Sequence, residues 1–258
     1  MHYPSASVFL AVLLASSPLV SAHGRIDTAV GDAGGNGTAL GIKGAVVPLT
    51  GSNSKTEVDT TVFQGKAAQG CGETEAGGTN EADSGTAQAM ALSGGTLPQI
   101  TAGGSLTGSL HVVTSDGFGP YMAMIDPTGQ GDFSNSAKLE LATQVPGNDG
   151  NGQKGEFTSS TTKRWFSRIM GRSISKRATN INENFPYKVN IPADTQCTGT
   201  VAGQSNVCMI KLVNPSGAGP FGGCVPVQMA GSAASNSTAA TSTEQQATKR
   251  SKAQKFQA

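Results

Sequence analysis

Gly108-Ser109-Leu110-His111-Val112-Val113-Thr114 is followed by Ser115-Asp116-Gly117-Phe118-Gly119-Pro120 and then by Tyr121-Met122-Ala123-Met124-Ile125. Val and Thr suit the pleated surface of a strand, whereas Asp-Gly and Gly-Pro interrupt one. The passage therefore reads either as two strands around a turn or as an irregular loop leading into a second strand. The same grammar recurs outward from it. Lys138–Val145 reads as a strand ended by Pro146, and Asn184–Ile191 and Val207–Val213 also read as strands, with Asp126–Phe133 and Gly147–Gly155 as loops. From His23 to about Gly104 the chain is Gly-rich, with short apolar pieces at Gly44–Leu49 and Thr61–Gln64. With 35 glycines, 14% charged residues and no long amphipathic helical repeat, the composition points to an all-β domain of short strands and tight turns.

The two ends and one internal stretch differ from this. Val8–Leu14 is a short apolar run, and Val20-Ser21-Ala22 supplies small residues where a signal peptidase would cut. Residues 1–22 are expected to be a cleaved signal peptide, too short to span a bilayer, so that the mature chain begins at His23. Residues 23–230 then form a single domain, and residues 231–258, Ser/Thr-rich and then basic, form a disordered tail. Within residues 158–177 the basic residues Lys163, Arg164, Arg168, Arg172, Lys176 and Arg177 alternate with Trp165, Phe166, Ile169, Met170 and Ile174, the pattern of a short basic helical insertion. Dibasic pairs at Lys163-Arg164, Lys176-Arg177 and Lys249-Arg250 are candidate processing sites. A net charge of +1 gives no electrostatic case for binding nucleic acid. A secreted monomer without a transmembrane segment is expected.

Four cysteines in a secreted chain read as two disulfides with three pairings open. Loop length favours Cys197–Cys208, a short closure, with Cys71–Cys224 tying an early segment to a late one. Asn36-Gly37-Thr38 and Asn236-Ser237-Thr238 are sequons for N-glycosylation. The mature chain has two histidines, His23 and His111. At a free amino terminus His23 offers both an imidazole nitrogen and its α-amine, and His111 can add a third nitrogen. Three nitrogens of this kind suit copper(II), as in a histidine brace. Phe221, Tyr121 and Gln228 are candidates for the axial or a neighbouring position, although core packing is the better explanation of each of the two aromatic residues. No Ser/His/Asp set or carboxylate pair stands out, so no catalytic residue is assigned.

Several separated blocks carry a resemblance. They are Ala22-His23-Gly24, His111–Pro120, Asp126–Phe133, Thr143–Asn148, Asn184-Phe185-Pro186 and Ala218–Gly223. Together they resemble the Egh-like virulence factors of filamentous plant-pathogenic fungi, including the appressorium-specific factors of the rice-blast type. The resemblance implies a role in the appressorium, supporting host penetration and lesion development at the fungus–plant interface. More remotely, the His-first mature chain and the His111 block are similar to features of lytic polysaccharide monooxygenases. That likeness implies an immunoglobulin-like β-sandwich with long loops, copper on His23 and His111, and oxidation of a host or fungal cell-wall polysaccharide. Against turnover stand the absence of a Gln-x-Tyr axial motif and the presence of a single tryptophan, Trp165, inside the basic insertion. A metal-free structural or adhesive protein is the third reading.

Overall fold

The computed structural model describes residues 24–44, 53–157 and 179–231. The expected signal peptide, His23, the basic insertion and the tail from residue 232 onward lie outside the described residues. In chain order the strands are β1 (Gly24–Gly31), β2 (Gly34–Gly37), β3 (Thr61–Val62), β4 (Glu73–Thr74), β5 (Gly78–Thr79), β6 (Gln99–Ile100), β7 (Ser105–Thr114), β8 (Met122–Asp126), β9 (Ala137–Leu139), β10 (Leu141–Thr143), β11 (Asn180–Asn190), β12 (Gly199–Val201), β13 (Gln204–Val213) and β14 (Phe221–Met229). Two α-helices, α1 (Asn53–Thr56) and α2 (Ala82–Leu92), and one 3-10 turn at Gly65–Ala68 are described.

The strands form two sheets in a sandwich-like arrangement. One has the order β10-β11-β7-β1-β2; the other runs β5-β4-β3-β14-β13-β8-β9, with β12 beside β13 and β6 beside β14. Only β6 pairs in parallel; every other described pairing is antiparallel. Alternate residues of the long strands point inward. Ile26, Leu106, Leu110, Val112, Tyr187 and Val189 from the first sheet meet Ala123, Ile125, Ile210, Leu212, Val225 and Val227 from the second in one buried core. The continuous apolar run of β13 follows from burial on both faces. Ile210 and Leu212 enter the main core, while Met209 and Val213 join Leu40, Phe63, Phe133 and the Cys71 and Cys224 pair in a second cluster on the outer side.

The structure selects the second of the two readings of the Gly108–Ile125 passage and changes two other expectations. β7 and β8 lie in different sheets, so the Asp116–Pro120 stretch is a crossing between sheets and not a hairpin turn. The expected strand Lys138–Val145 divides at Glu140: Leu139 pairs with Ala123 in the second sheet and Leu141 with Val189 in the first. α2 was not expected, because only Gly85, Thr86 and Ala89 are buried along its length and so its apolar stripe is thin. β14 tolerates Pro226 for a geometric reason. The carbonyl of Cys224 points away from β13 to accept from Leu40 N, so two residues on, the missing N–H of Pro226 also faces away from β13.

Of the three possible cysteine pairings, the structure holds Cys71–Cys224, 153 residues apart, and Cys197–Cys208, 11 apart. Taken singly, chain-entropy arguments assign them about 5 and about 3 kcal/mol of stabilisation. Beside the longer crosslink, the Lys211 ammonium is buried with no carboxylate partner among the described residues. It donates to the carbonyl oxygens of Ala68 (2.6 Å) and Gly70 (3.1 Å) and stands 4.2 Å from the Phe63 ring centroid. Burial lowers its pKa from 10.5 to about 8. Between those two values the unfolded chain binds more protons than the folded one, so this group's contribution to stability rises with pH across that window and its cost is complete below it. Relative to Lys211→Met, the wild-type protein is therefore expected to gain at most about 3 kcal/mol between pH 8 and 10.5, read by denaturant titrations at each pH. A difference that stays flat with pH would contradict the buried-cation description.

Candidate functional site

β7 lies in the middle of the first sheet, between β1 and β11. Its alternation sends Leu110 and Val112 into the core and His111 to the outer face, opposite Arg25 of β1 and Asn184 of β11. Both neighbouring strands are irregular at this level. β1 shifts register between Ile26 and Thr28, and β11 between Asn180 and Glu183. Such bulges bend a strand and re-aim its side chains. Asn182 adopts a left-handed φ of 49°, a conformation that Asn tolerates better than most residues. The result is a histidine with both ring nitrogens engaged. Nδ1 is 2.6 Å from Asn184 Oδ1 and Nε2 is 3.3 Å from Asn182 Oδ1, and only 2% of the residue is exposed.

An ion cluster adjoins it. Arg25 is buried; its Nε donates to Asp27 Oδ1 (2.8 Å) and its Nη1 to Asp59 Oδ1. Asp59 also accepts from the Lys43 backbone N (3.2 Å), which fixes its second oxygen. Asp27 Oδ2, in contrast, is buried with no hydrogen-bond partner among the described residues. Burial raises the Asp27 carboxyl above its ordinary range, against the opposing pull of the Arg25 and His111 charges. One guanidinium therefore balances two carboxylates, of which Asp27 is the more exposed and the less completely satisfied.

The recurring sequence blocks converge at one end of the sandwich. Asn214 Nδ2 donates to the carbonyl oxygens of Asp116 (3.0 Å) and Phe118 (2.9 Å), while its Oδ1 accepts from Phe221 N (2.8 Å). Gln144 clamps the Tyr121 backbone from both sides, accepting from its N–H at 2.7 Å and donating to its carbonyl at 2.9 Å. Gly119 N donates to Pro146 O, and Phe118 packs on Phe185 at 5.4 Å between ring centroids. The start of β1 is pressed onto the same loops: a Cβ on Gly24 would lie 2.4 Å from the Tyr121 hydroxyl and 3.1 Å from Gly117 O. Thus the His111 block, the Thr143–Asn148 block, Phe185, the Ala218–Gly223 block and Gly24 meet. The Asp126–Phe133 block lies at the far end of β8, where Asp126 accepts from Thr128 N and Gly131 N (both 2.8 Å).

The residues proposed for metal binding are not gathered together among the described residues. Tyr121 lies beneath Gly24 on the inner side of the first sheet, whereas His111 is on its outer side. The Tyr121 hydroxyl donates to Gly117 O (2.8 Å), and burial raises its pKa far above the ordinary phenol range. Phe221 is fully buried against Val62 in the second sheet. Gln228, also in the second sheet, accepts from Gln99 (2.7 Å) and donates to Ser205 O (2.8 Å). No group of three or more His, Cys, Asp or Glu residues suited to a metal ion occurs among the described residues. Taken alone, they do not fit a copper centre. Asn36 is exposed on β2, and Asn236 lies outside the described residues. Sequence reading overlooked Arg25, Asp27, Asp59 and Asn182. The available signals were two charges at alternate positions of one strand and the Asn-rich run Asn180-Ile181-Asn182-Glu183-Asn184.

A family model described as Egh16-like virulence factor matches residues 21–222, a span that contains both the polar cluster and the converging loops. The chain belongs to the Egh16-like virulence factor family. It is similar to the appressoria-specific virulence factor GAS1 of Pyricularia oryzae, with 38% identity over 86% of this chain and 78% of the relative. It is also similar to the appressoria-specific virulence factor GAS2 of the same fungus, with 34% identity over 57% of this chain and 43% of that relative. No solved structure matches. In this family member the first strand should be intolerant of substitution at its start. Gly24→Ala is expected to cost about 1–3 kcal/mol by crowding the Tyr121 hydroxyl, seen as a lower melting temperature. Arg25→Ala, which leaves Asp59 buried without its counter-ion, is expected to cost about 3–5 kcal/mol in the same measurement.

Proposed function

We propose that the protein is a secreted virulence factor of the appressorium that supports host penetration and lesion development at the fungus–plant interface. The observation that carries this reading is the similarity to GAS1 over 86% of the chain. Two disulfides accord with an oxidising compartment, and no described helix is long and apolar enough to cross a membrane. The test is deletion of the gene in its source fungus, followed by inoculation of the host. Lesions should become fewer or smaller and should recover when the wild-type gene is restored; undiminished lesions would overturn the reading.

A narrower reading adds copper at His23 and His111, and with it the immunoglobulin-like kinship of the sandwich. It is supported by one relation: His23 is bonded to Gly24, whose partner across the sheet, Val112, is the chain neighbour of His111. Ligation through His111 would require one carboxamide partner to release its ring nitrogen, because a metal takes the nitrogen lone pair. Copper titration followed by electron paramagnetic resonance separates the cases. Nitrogen-coupled copper(II) that is lost in His111→Ala, and lost again when one extra residue precedes His23, is the expected outcome for a brace. Uptake unaffected by the extension would exclude it, and no uptake would leave a metal-free secreted protein. Release of oxidised oligosaccharides from cell-wall polysaccharide in the presence of a reductant would add turnover.

A further inference from the structure

Asn36 combines a sequon with a particular place in the fold. It lies on β2, at the edge of the first sheet, directly opposite Val30 of β1. Its neighbours face inward against the chain around Pro98: a Cβ on Gly35 would meet Leu97 O at 2.1 Å, and one on Gly37 would meet the Pro98 ring at 2.6 Å. Side chains alternate along a strand, so Asn36 faces the other way, on the outer side of the sheet. It is exposed, and its carboxamide makes no hydrogen bond to the described residues. Its backbone is nevertheless held, since the Asn36 carbonyl accepts from Thr96 Oγ1 (3.5 Å). Across the strand pair, Val30 is 38% exposed, one of three large apolar residues left open to solvent among those described.

We infer that Asn36 carries an N-linked oligosaccharide whose first sugars lie over Val30 and cover the outer face of the β1–β2 hairpin. The acceptor is built for it: a free carboxamide on a fixed backbone, facing solvent, with a cross-strand apolar neighbour whose Cβ is about 5 Å away. The donor is a lipid-pyrophosphate-linked oligosaccharide of the secretory pathway. The Asn36 amide nitrogen forms a bond to C1 of the reducing-end sugar and loses one proton. The bond from C1 to the pyrophosphate oxygen breaks, and the lipid pyrophosphate leaves without change of oxidation state. In the folded domain the Thr38 hydroxyl, the other half of the sequon, is buried and donates to Ile26 O (3.2 Å). The sugar is therefore added before β1 and β2 close, and Thr38 then takes a structural role.

The inference rests on entry into the secretory pathway, so the test reads both. The full chain with its own leader is produced in a fungal secretory host and digested with and without a peptide-N-glycosidase. The expected result is loss of a glycan mass with conversion of Asn36 to Asp in the released peptide, and absence of that glycan from Asn36→Gln. Asn36→Gln is preferred to a change at Thr38, which would also remove the hydrogen bond to Ile26. Hydroxyl-radical footprinting should show Val30 oxidised less in the glycosylated protein than after enzymatic deglycosylation. An unmodified Asn36 overturns the assignment; a cleaved amino terminus in that sample faults this inference alone, whereas a retained Met1 faults the secretory routing beneath it. A glycan at Asn36 with equal oxidation of Val30 overturns the packing.

Discussion

Burial of Leu106, Leu110 and Val112 between the two sheets sets the register of β7, and the candidate site depends on that register. A slip of one residue would drive His111 into the apolar core and expose the leucines and valine, so the alternative pairing is strongly disfavoured. With β7 held, β1 and β11 are placed on either side of it, and Arg25 and Asn184 come opposite His111. The bulges then do the finer aiming. Asp27 and Asn182 sit at those irregularities, each two residues from the His111 partner on its own strand (Arg25 and Asn184), beside the ion cluster and the imidazole that they serve.

The two buried cations show different answers to the same cost. Taking a charge out of water is expensive unless its donors are matched. Arg25 is matched by carboxylates, and its planar fork reaches Asp27 and Asp59 together. Lys211 has no acid beside it among the described residues; carbonyl oxygens and the faces of Phe63 and Phe133 surround it. The first arrangement concentrates charge on the outer face of one sheet, next to the histidine. The second pins the loop after β3 onto the outer face of the other sheet, close to the Cys71–Cys224 crosslink.

How much was legible in the sequence follows from what each element buries. β13 announced itself because both of its faces are apolar, and β7 because its β-branched run is bounded by a clear break. The division of Lys138–Val145 was hidden, since a strand that leaves one sheet for the other at Glu140 keeps the composition of a single strand. β14 was obscured by Gly222, Gly223 and Pro226, residues that usually argue against a strand; only the three-dimensional neighbours explain them. At the site, His111 stood out by rarity. Its surroundings did not, because Asn182 and Asn184 meet it from β11 while Arg25, opposite it, is held by Asp27 and by the distant Asp59, and contact of that kind leaves no local pattern in the chain.

The Cys71–Cys224 bond has a topological consequence. Two of the dibasic pairs, Lys163-Arg164 and Lys176-Arg177, fall between the joined cysteines. A protease that cut at either would not divide the protein into separate pieces. It would produce a two-chain molecule, with the amino-terminal chain carrying β1 and β7 and the carboxy-terminal chain carrying β11, β13 and β14, still covalently linked and still paired through both sheets. Maturation of that sort would pass unnoticed on a non-reducing gel and would resolve into two bands only after reduction.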